Sequence, residues 1–122
     1  MAIRSYGDLN VWREAMKLAE LCYRVTSAFP ARETYGLVSQ IRRAAVSIPS
    51  NIAEGNSRRT RQSYLSFLSI ALGSQSELET QVELSRRLAL LSEKSANEVL
   101  ELAAVVGRML HSLIRSLEQK GE

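Results

Sequence analysis

The chain has 122 residues, 45% of them hydrophobic and 24% charged, with a net charge of +3. These proportions fit a globular protein with one real core, and no apolar run approaches the roughly 20 residues of a membrane span. Arg4, Tyr6 and Asp8 interrupt any signal-peptide pattern, and the one cysteine, Cys22, excludes an internal disulfide. We therefore predict a single cytoplasmic domain over residues 1–122 with no membrane partner.

Periodic apolar residues predict four helices, of which the first begins near Asp8 or Asn10, since either residue could cap it. It ends at Phe29-Pro30, because a residue that precedes proline resists the α conformation. Two rows with steps of three and four give this helix an unusually broad apolar surface: Leu9, Trp12, Met16, Ala19, Tyr23 and Thr26, and Val11, Ala15, Leu18, Cys22 and Val25.

The second predicted helix runs from about Glu33 to Asn56 and contains a proline. Pro49 removes one backbone donor and clashes with the carbonyl of Ala45, at about 3 kcal/mol in an ordinary helix. We predict a kink at Pro49 rather than a break, with Ser47 and Ser50 solvating the freed backbone groups, and a C-terminal stop at Gly55-Asn56. The inner stripe of this helix is Leu37, Ile41, Ala44, Ala45, Ile48 and Ile52.

The third helix is predicted from about Thr60 to Leu91, and its middle, residues 73–81, is polar. Its apolar positions are Leu65, Leu68, Leu72, Leu78, Val82 and Leu88. The fourth begins at Ser92 or Ser95, because Ser95 and Glu98 have the spacing of a capping box. Its stripe is Val99, Leu102, Ala103, Val106, Leu110, Leu113 and Leu117.

Short connections between these helices predict an all-α, antiparallel, up-down-up-down four-helix bundle. The second row on the first helix exceeds what one bundle core needs, and so do Leu100, Val105 and Met109 on the fourth. Surplus apolar surface of this kind is typical of a subunit interface.

No pattern for catalysis or metal binding is present in the sequence. A di-iron bundle needs Glu-x-x-His motifs, but Arg108 stands three residues before His111, the only histidine. Cys22 lies on an apolar row, where an inert thiol is the usual state. Gly-rich phosphate loops and paired-cysteine metal motifs are also missing. We therefore predict no catalytic residue, no metal and no cofactor.

Arginines are the candidates for nucleic-acid binding, because the guanidinium fork donates bidentate hydrogen bonds to phosphate. Arg58, Arg59 and Arg61 together equal the whole net charge of +3. Such binding would be mainly electrostatic and sensitive to salt. The full set of candidates is Arg42, Arg43, Arg58, Arg59, Arg61, Arg86 and Arg87.

The alternative interpretation, of equal weight, is that the double arginines form salt bridges between helices. An unpaired charge inside a protein or an interface is costly, so Glu54, Glu77 and Glu79 are interpreted as partners of Arg42 or Arg43, within or between subunits. On this basis Arg42 and Arg43 favour a structural role, and the cluster at Arg58 favours a functional one.

Several motifs resemble one known family along nearly the whole chain. They are Leu9-x-Val-Trp, Phe29-Pro30, Tyr35-Gly-Leu, the string from Gln40 to Gly55 with Pro49, Asn51, Glu54 and Gly55, then Arg58, Phe67-Leu68-x-Ile-Ala-x-Gly-Ser, and Glu77-Leu-Glu79-Thr-Gln. The chain resembles the 23S rRNA intervening-sequence protein family. This resemblance implies a four-helix bundle that assembles as a ring-like homopentamer.

A related group, the accessory variability proteins of diversity-generating retroelements, shares the bundle and the pentamer. Its members are thought to bind nucleic acid and a reverse transcriptase, so the resemblance implies RNA or DNA as a partner, and a reverse transcriptase if the chain is associated with a retroelement. Two hypotheses follow. The first is a non-enzymatic homo-oligomer that binds RNA or DNA through exposed arginines; the alternative is a protein scaffold with ion-paired arginines and no nucleic-acid binding.

Overall fold

The computed structural model describes residues 6–119, and four long helices account for most of them. No strand occurs within these residues, so the all-α class is confirmed. Single 3₁₀ turns at Tyr6–Asp8 and Ala31–Glu33 and a π-helical turn at Thr34–Val38 accompany the helices. The helices are α1 (Asn10–Thr26), α2 (Ser39–Asn56), α3 (Arg61–Arg87) and α4 (Glu93–Gln119).

The core lies between the four helices, because α1 and α3 each pack against both α2 and α4. The predicted inner stripe of α2 is buried along its whole length, and Cys22 on α1 is fully buried. Leu88 departs from the predicted stripe of α3, since it follows the last turn and is exposed. Large, fully buried side chains come from every helix: Leu18, Ile41, Ile48, Ile52, Leu68, Leu78, Val82, Val99, Val106 and Leu110.

The segment before α2 differs from the prediction of one helix from Glu33 onward. Gly36 has a non-helical backbone, with φ −106° and ψ −116°. The Glu33 carboxylate accepts a hydrogen bond from the Leu37 backbone N–H at 3.3 Å and so takes a donor that a continuous helix would use. The regular α2 helix therefore begins only at Ser39.

α2 continues through Pro49 as an unbroken α-helix and ends at Asn56, where the sequence predicts its stop. The Ser47 hydroxyl does not serve the freed backbone as expected. It shares a 2.8 Å hydrogen bond with the Ser74 hydroxyl of α3 and accepts one from Asn51 Nδ2 at 3.0 Å. Asn51 also donates to the Ser47 carbonyl at 2.8 Å, so this pair fixes part of the α2–α3 contact.

Helix ends explain two further differences. Asn10 is the first residue of α1 rather than its cap, and the Asp8 side chain lies outside the described part of the structure. Ser92, one of the two predicted starts, caps α4, since its hydroxyl accepts from the Ser95 backbone N–H at 3.1 Å. The helix therefore begins before the predicted capping box of Ser95 and Glu98. α3 ends in a Schellman motif: Leu90 N–H donates to the Ser85 carbonyl at 2.9 Å, and Ala89 takes the left-handed conformation with φ +59°.

The polar middle of α3 directs two polar side chains, Gln75 and Gln81, into the bundle, while Ser76, Glu77 and Thr80 are exposed. Gln75 is buried, and its amide donates to the Ala103 carbonyl of α4 at 3.0 Å. Gly107 leaves room for this side chain, because a Cβ there would lie 2.9 Å from Gln75 Nε2. Across residues 6–119, no helix combines the length and the apolar character that crossing a bilayer requires.

Candidate nucleic-acid interface

Arg58 and Arg59 lie in the connection between α2 and α3, and Arg61 is the first residue of α3. We call these three residues the arginine cluster. Arg58 is exposed but held in place: it donates to Glu54 Oε2 at 2.9 Å, and its Cζ atom lies 4.7 Å from the centroid of the Phe67 ring. Within the chain, Glu54 therefore pairs with Arg58 and not with Arg42 or Arg43, whereas pairing between subunits stays a prediction.

Arg59 and Arg61 stand on either side of Thr60, whose hydroxyl caps α3 by accepting from the Ser63 N–H at 3.1 Å. Both arginines are exposed. Within residues 6–119 neither forms an ion pair with a carboxylate. The first turn of a helix carries partial positive charge, which adds to that of the two guanidinium groups. The result is a locally electropositive surface with exposed donors.

The arginine cluster rests on a close contact between α2 and α3. A Cβ on Gly55 would lie 2.9 Å from Phe67 Cβ and 3.0 Å from Tyr64 Cδ1, so only glycine fits without displacement. Tyr64 is half-buried, and its hydroxyl accepts from Asn56 Nδ2 at 3.2 Å. Burial raises the Tyr64 pKa, while the hydrogen bond from Asn56 opposes this rise. Tyr64 thus stabilises the connection between α2 and α3.

Arg42 is anchored to α1, so the prediction that it pairs with acids on the third helix is wrong within this chain. Its Nε donates to Thr26 Oγ1 at 3.0 Å, and its Nη2 donates to the Tyr23 carbonyl at 3.3 Å. Its Cζ atom also lies 4.4 Å from the centroid of the Tyr23 ring. The last carbonyls of a helix lack backbone partners within it, and that of Tyr23 accepts from the Ser27 hydroxyl at 2.8 Å as well as from Arg42. These contacts are consistent with the structural interpretation of Arg42, although its partners are not carboxylates.

Arg43, the next residue along α2, is exposed. It lines a groove between α2 and α3 together with Gln40, Ala44, Ser47, Glu77 and Gln81. Glu79 lies on a different face of α3, in a groove with Glu83 and Arg87. Among the described residues, Arg43, Glu77 and Glu79 form no ion pair.

Arg86 and Arg87 are neutralised by carboxylates at the far end of α3. Arg86 donates to Glu83 at 2.5 and 3.0 Å and to Glu93 of α4 at 2.9 Å, while Arg87 donates to Glu83 at 3.0 Å. These hydrogen bonds lower the Glu83 pKa to about 2 and raise that of Arg86 above its usual range. The pair therefore fits the salt-bridge alternative better than phosphate binding.

Among the residues that the structure describes, the reactive side chains do not gather into a site. Burial raises the pKa of the Cys22 thiol to about 12, which keeps it protonated and unreactive at neutral pH. His111 is exposed on α4. Over residues 6–119, no three His, Cys, Asp or Glu side chains lie close enough together to hold a metal ion.

An open apolar groove of about 610 Å³ runs between α1 and α2. Trp12, Met16 and Tyr23 line it from the first predicted row of α1, and Val46 and Pro49 line it from α2. The second row of α1 packs into the core instead, with Val11, Ala15, Leu18 and Cys22 buried. The two rows indicated surplus apolar surface, but only the packing of α2 shows where the groove forms.

Four helices around one apolar core, joined by an arginine-bearing connection, define an all-α four-helix-bundle protein. The profile of the 23S rRNA-intervening sequence protein family matches residues 7–112, so the chain belongs to this family and the resemblance is confirmed. No curated protein matches the chain.

A similar fold occurs in the crystal structure, at 1.70 Å resolution, of a protein with unknown function from the S23 ribosomal protein family of Bacteroides thetaiotaomicron VPI-5482. The two chains are 22% identical, and the match covers 86% of this chain and 95% of the other with a TM-score of 0.81. At this identity the similarity concerns the fold alone.

Proposed function

We propose that this protein is a non-enzymatic, cytoplasmic homo-oligomer that binds RNA or DNA electrostatically through the arginine cluster. The observation that carries the proposal is the state of Arg59 and Arg61, which are exposed beside the N-terminus of α3 and have no carboxylate partner within the described residues. Phosphate oxygens are the natural acceptors for such donors. The buried, unpaired Cys22 fits a reducing compartment.

The surroundings of the cluster favour binding with little loss of entropy. Arg58 is fixed by Glu54 and by the face of Phe67, and the Gly55 contact holds the connection against α3. Side chains that are already ordered lose less freedom when a ligand binds. By contrast, Arg42 donates two hydrogen bonds to α1, and Arg86 and Arg87 share the Glu83 carboxylate, so we assign these three no phosphate contact. Arg58 also donates one bond to a carboxylate, but it lies beside Arg59 and Arg61, which have no such partner within the described residues.

We further propose that copies of this chain assemble through the apolar groove between α1 and α2, in a ring of five. Trp12, Met16 and Tyr23 would then leave water, which is the main driving force for association. Five copies, each with a net charge of +3, would carry +15 and repeat the arginine cluster five times. Such multivalency converts weak single contacts into useful affinity.

Within each copy we propose an antiparallel, up-down-up-down arrangement with a bend in α2 at Pro49. Two contacts support opposite directions for α2 and α3: Gly55 lies against Phe67, and Ser47 bonds to Ser74, so one residue number falls as the other rises. The bend rests on the missing Pro49 donor and the ring clash with the preceding turn.

Binding to a labelled RNA hairpin and to a DNA duplex, followed by fluorescence anisotropy over a salt series, tests the nucleic-acid proposal. Replacing Arg58, Arg59 and Arg61 by alanine should weaken binding strongly and flatten the salt dependence, since each phosphate contact contributes about 0.9 to the logarithmic slope on duplex DNA. A control variant replaces three exposed arginines elsewhere, Arg24, Arg108 and Arg115, and removes the same charge. Equal binding by both variants, or no binding at low salt, would contradict the proposal.

The scaffold alternative retains support from the intramolecular bonds of Arg42, Arg86 and Arg87 and from the apolar groove. It assigns the groove and the exposed surface to a protein partner and predicts no nucleic-acid binding. Purification at low salt followed by identification of bound RNA and protein separates the two functions. Sedimentation as a monomer at micromolar concentration would contradict self-assembly under either of them.

A further inference from the structure

A groove with aromatic and cationic side chains lies where the end of α1, the π-helical turn Thr34–Val38 and the start of α2 meet. It has a volume of about 550 Å³, within the usual range of ligand sites. Two tyrosines and two arginines line it: Tyr23, Tyr35, Arg42 and Arg43. Tyr23 also lines the apolar groove assigned to assembly, whereas Tyr35 and Arg43 do not. We call this site the Tyr35 groove.

The lining of the Tyr35 groove is positively charged. Arg42 and Arg43 contribute two guanidinium groups, and among the described residues no carboxylate lines the groove. Glu33, which precedes the turn, is not part of the lining and accepts a hydrogen bond from the backbone of the turn. The apolar groove, by contrast, includes Glu20. The charge of the Tyr35 groove therefore favours an anionic ligand.

The two arginines of the groove are in different states. Arg42 is held by its hydrogen bonds to Thr26 and to the Tyr23 carbonyl, and its guanidinium lies over the Tyr23 ring. Arg43 is exposed and forms no ion pair with a carboxylate of residues 6–119. Its guanidinium is therefore available to donate hydrogen bonds to a phosphate group.

Tyr35 offers an open aromatic ring beside these cations. The residue is 96% exposed, whereas the other exposed large hydrophobic residues lie between 39% and 55%. The turn that carries Tyr35 is held by the hydrogen bond from the Leu37 N–H to the Glu33 carboxylate. Bases of single strands stack on exposed aromatic rings in positively charged grooves, without regard to sequence.

These features together favour a ligand that is both anionic and flat. An acidic peptide would match the charge of the groove but would leave the Tyr35 ring unused. A nucleotide supplies a base for Tyr35 and a phosphate for Arg43. In a duplex the bases are paired and stacked on one another, so an unpaired strand is the form that can present a base here.

We propose that the Tyr35 groove binds an unpaired nucleotide of a single-stranded nucleic acid, with the base stacked on Tyr35 and the phosphate held by Arg43. The site selects single strands and does not select a base. This inference rests on the proposed nucleic-acid binding and adds a preference for single strands to it.

One face of α2 connects the Tyr35 groove with the arginine cluster. Arg43, Ser47, Ser50 and Glu54 recur at steps of three and four and so share this face. From Arg43 to its last residue, Asn56, the helix is roughly 20 Å long. Nucleotides of a stacked strand advance about 3.4 Å each, so about six of them span this distance. A strand of about twelve nucleotides is therefore long enough to contact both sites.

Fluorescence anisotropy with a fluorescein-labelled dodecathymidylate, and with a duplex of the same length, tests the preference for single strands. Tyr35→Leu should weaken binding of the single strand roughly tenfold and leave duplex binding unchanged, because leucine retains an apolar side chain but has no ring. Tyr35→Phe should keep the wild-type affinity for both. Because Tyr35 is almost fully exposed, both variants should melt at the wild-type temperature.

The phosphate contact is tested by replacing Arg43. Arg43→Ala should reduce the logarithmic salt dependence of single-strand binding by about 0.7, the contribution of one phosphate contact. Arg115→Ala removes the same charge from an exposed position on α4 and should leave the salt dependence unchanged. An unchanged salt dependence for Arg43→Ala would overturn the phosphate contact.

Photocrosslinking locates the stacked base. A single strand that contains 5-iodouracil crosslinks to aromatic side chains stacked on it, and mass spectrometry of the digested protein identifies the modified residue. Wild-type protein should carry the crosslink at Tyr35, and Tyr35→Leu should lose it. A crosslink confined to other residues would overturn the inference.

The outcomes separate this inference from the proposed function. If Tyr35→Leu binds the single strand as wild type does, or weakens single-strand and duplex binding equally, the inference fails and the arginine cluster keeps its role. If Tyr35→Leu loses single-strand binding but the triple alanine variant of the arginine cluster does not, the groove is supported and the role of the cluster is contradicted. A change in the mass of the assembly with unaltered binding would assign the groove to a second copy of the chain. If neither single strand nor duplex binds, both proposals fail.

Discussion

Replacing Gly55 by alanine tests whether the α2–α3 contact sets the stability of this bundle. Where a helix has free space around the position, replacing glycine by alanine raises the free energy of unfolding by about 0.5–1 kcal/mol. Here the new Cβ would lie 2.9 Å from Phe67 Cβ and 3.2 Å from the Tyr64 carbonyl oxygen, neither of which is the end of a flexible side chain. Overpacking of this kind costs about 1–3 kcal/mol, so we expect a net loss of roughly 0.5–2 kcal/mol.

Urea unfolding followed by circular dichroism, at one fixed protomer concentration, measures this change. Gly73→Ala is the matched control, since Gly73 lies within α3 and a Cβ there meets no atom within 4 Å. Gly73→Ala should raise the free energy of unfolding by about 0.5–1 kcal/mol, because alanine favours a helix more than glycine does. If Gly55→Ala proves as stable as Gly73→Ala, the close approach of the two helices does not constrain the fold and the reasoning fails.

Three further expectations concern single side chains. Gln81→Met should raise the free energy of unfolding in urea by about 1 kcal/mol, because it removes a buried acceptor without a partner; a clear loss would show that Gln81 forms a bond in solution. Arg42→Ala should cost about 1–2 kcal/mol through its lost bonds to α1, whereas Arg43→Ala should stay within about 0.5 kcal/mol, and equal losses in the same urea series would refute the anchor. The folded-state pKa of Glu83 lies near 2, below its ordinary 4.5, so this carboxylate stabilises the fold above about pH 5 and loses its contribution as the pH falls toward 2. Glu83→Gln should therefore show a smaller decrease in thermal stability over this acid range than wild type, and an identical decrease would exclude the ion pairs as its source.

Helix periodicity was sufficient to predict the bundle, since the stripe from Ile41 to Ile52 is buried as expected. It failed just before α2, where Gly36 and the Glu33 carboxylate interrupt the helix. The backbone conformation of Gly36 leaves the spacing of the apolar residues unchanged. An analysis of that spacing therefore predicts one uninterrupted helix through this segment.

Side-chain partners were harder to predict than helices. Arg42 bonds to Thr26 and to the Tyr23 carbonyl, which are acceptors that exist only because α1 ends beside α2. The sequence analysis paired arginines with residues of opposite charge, so it predicted carboxylates as the partners of Arg42. The burial of Gln81 was missed for a similar reason: a polar residue within a polar stretch reads as solvent-exposed until the neighbouring helices are placed.

Sequence reasoning was most useful where the start of a helix determines which charged side chains lie beside its N-terminus. The predicted boundary near Thr60 placed Arg59 and Arg61 at the start of a helix, and the structure confirms that start at Arg61. The same reasoning could not show that Glu54 and Phe67 hold Arg58, because that arrangement depends on the packing of α3 against α2.

The left-handed turn at Ala89 gives experimenters a practical advantage. An L-amino acid with a side chain is strained in this conformation and glycine is not, so Ala89→Gly should add on the order of 1 kcal/mol of stability. The turn joins α3 to α4, whereas the arginine cluster lies at the other end of α3. A stabilised parent chain of this kind would tolerate disruptive substitutions in the grooves and at the cluster, so that lost binding could be measured on protein that still folds.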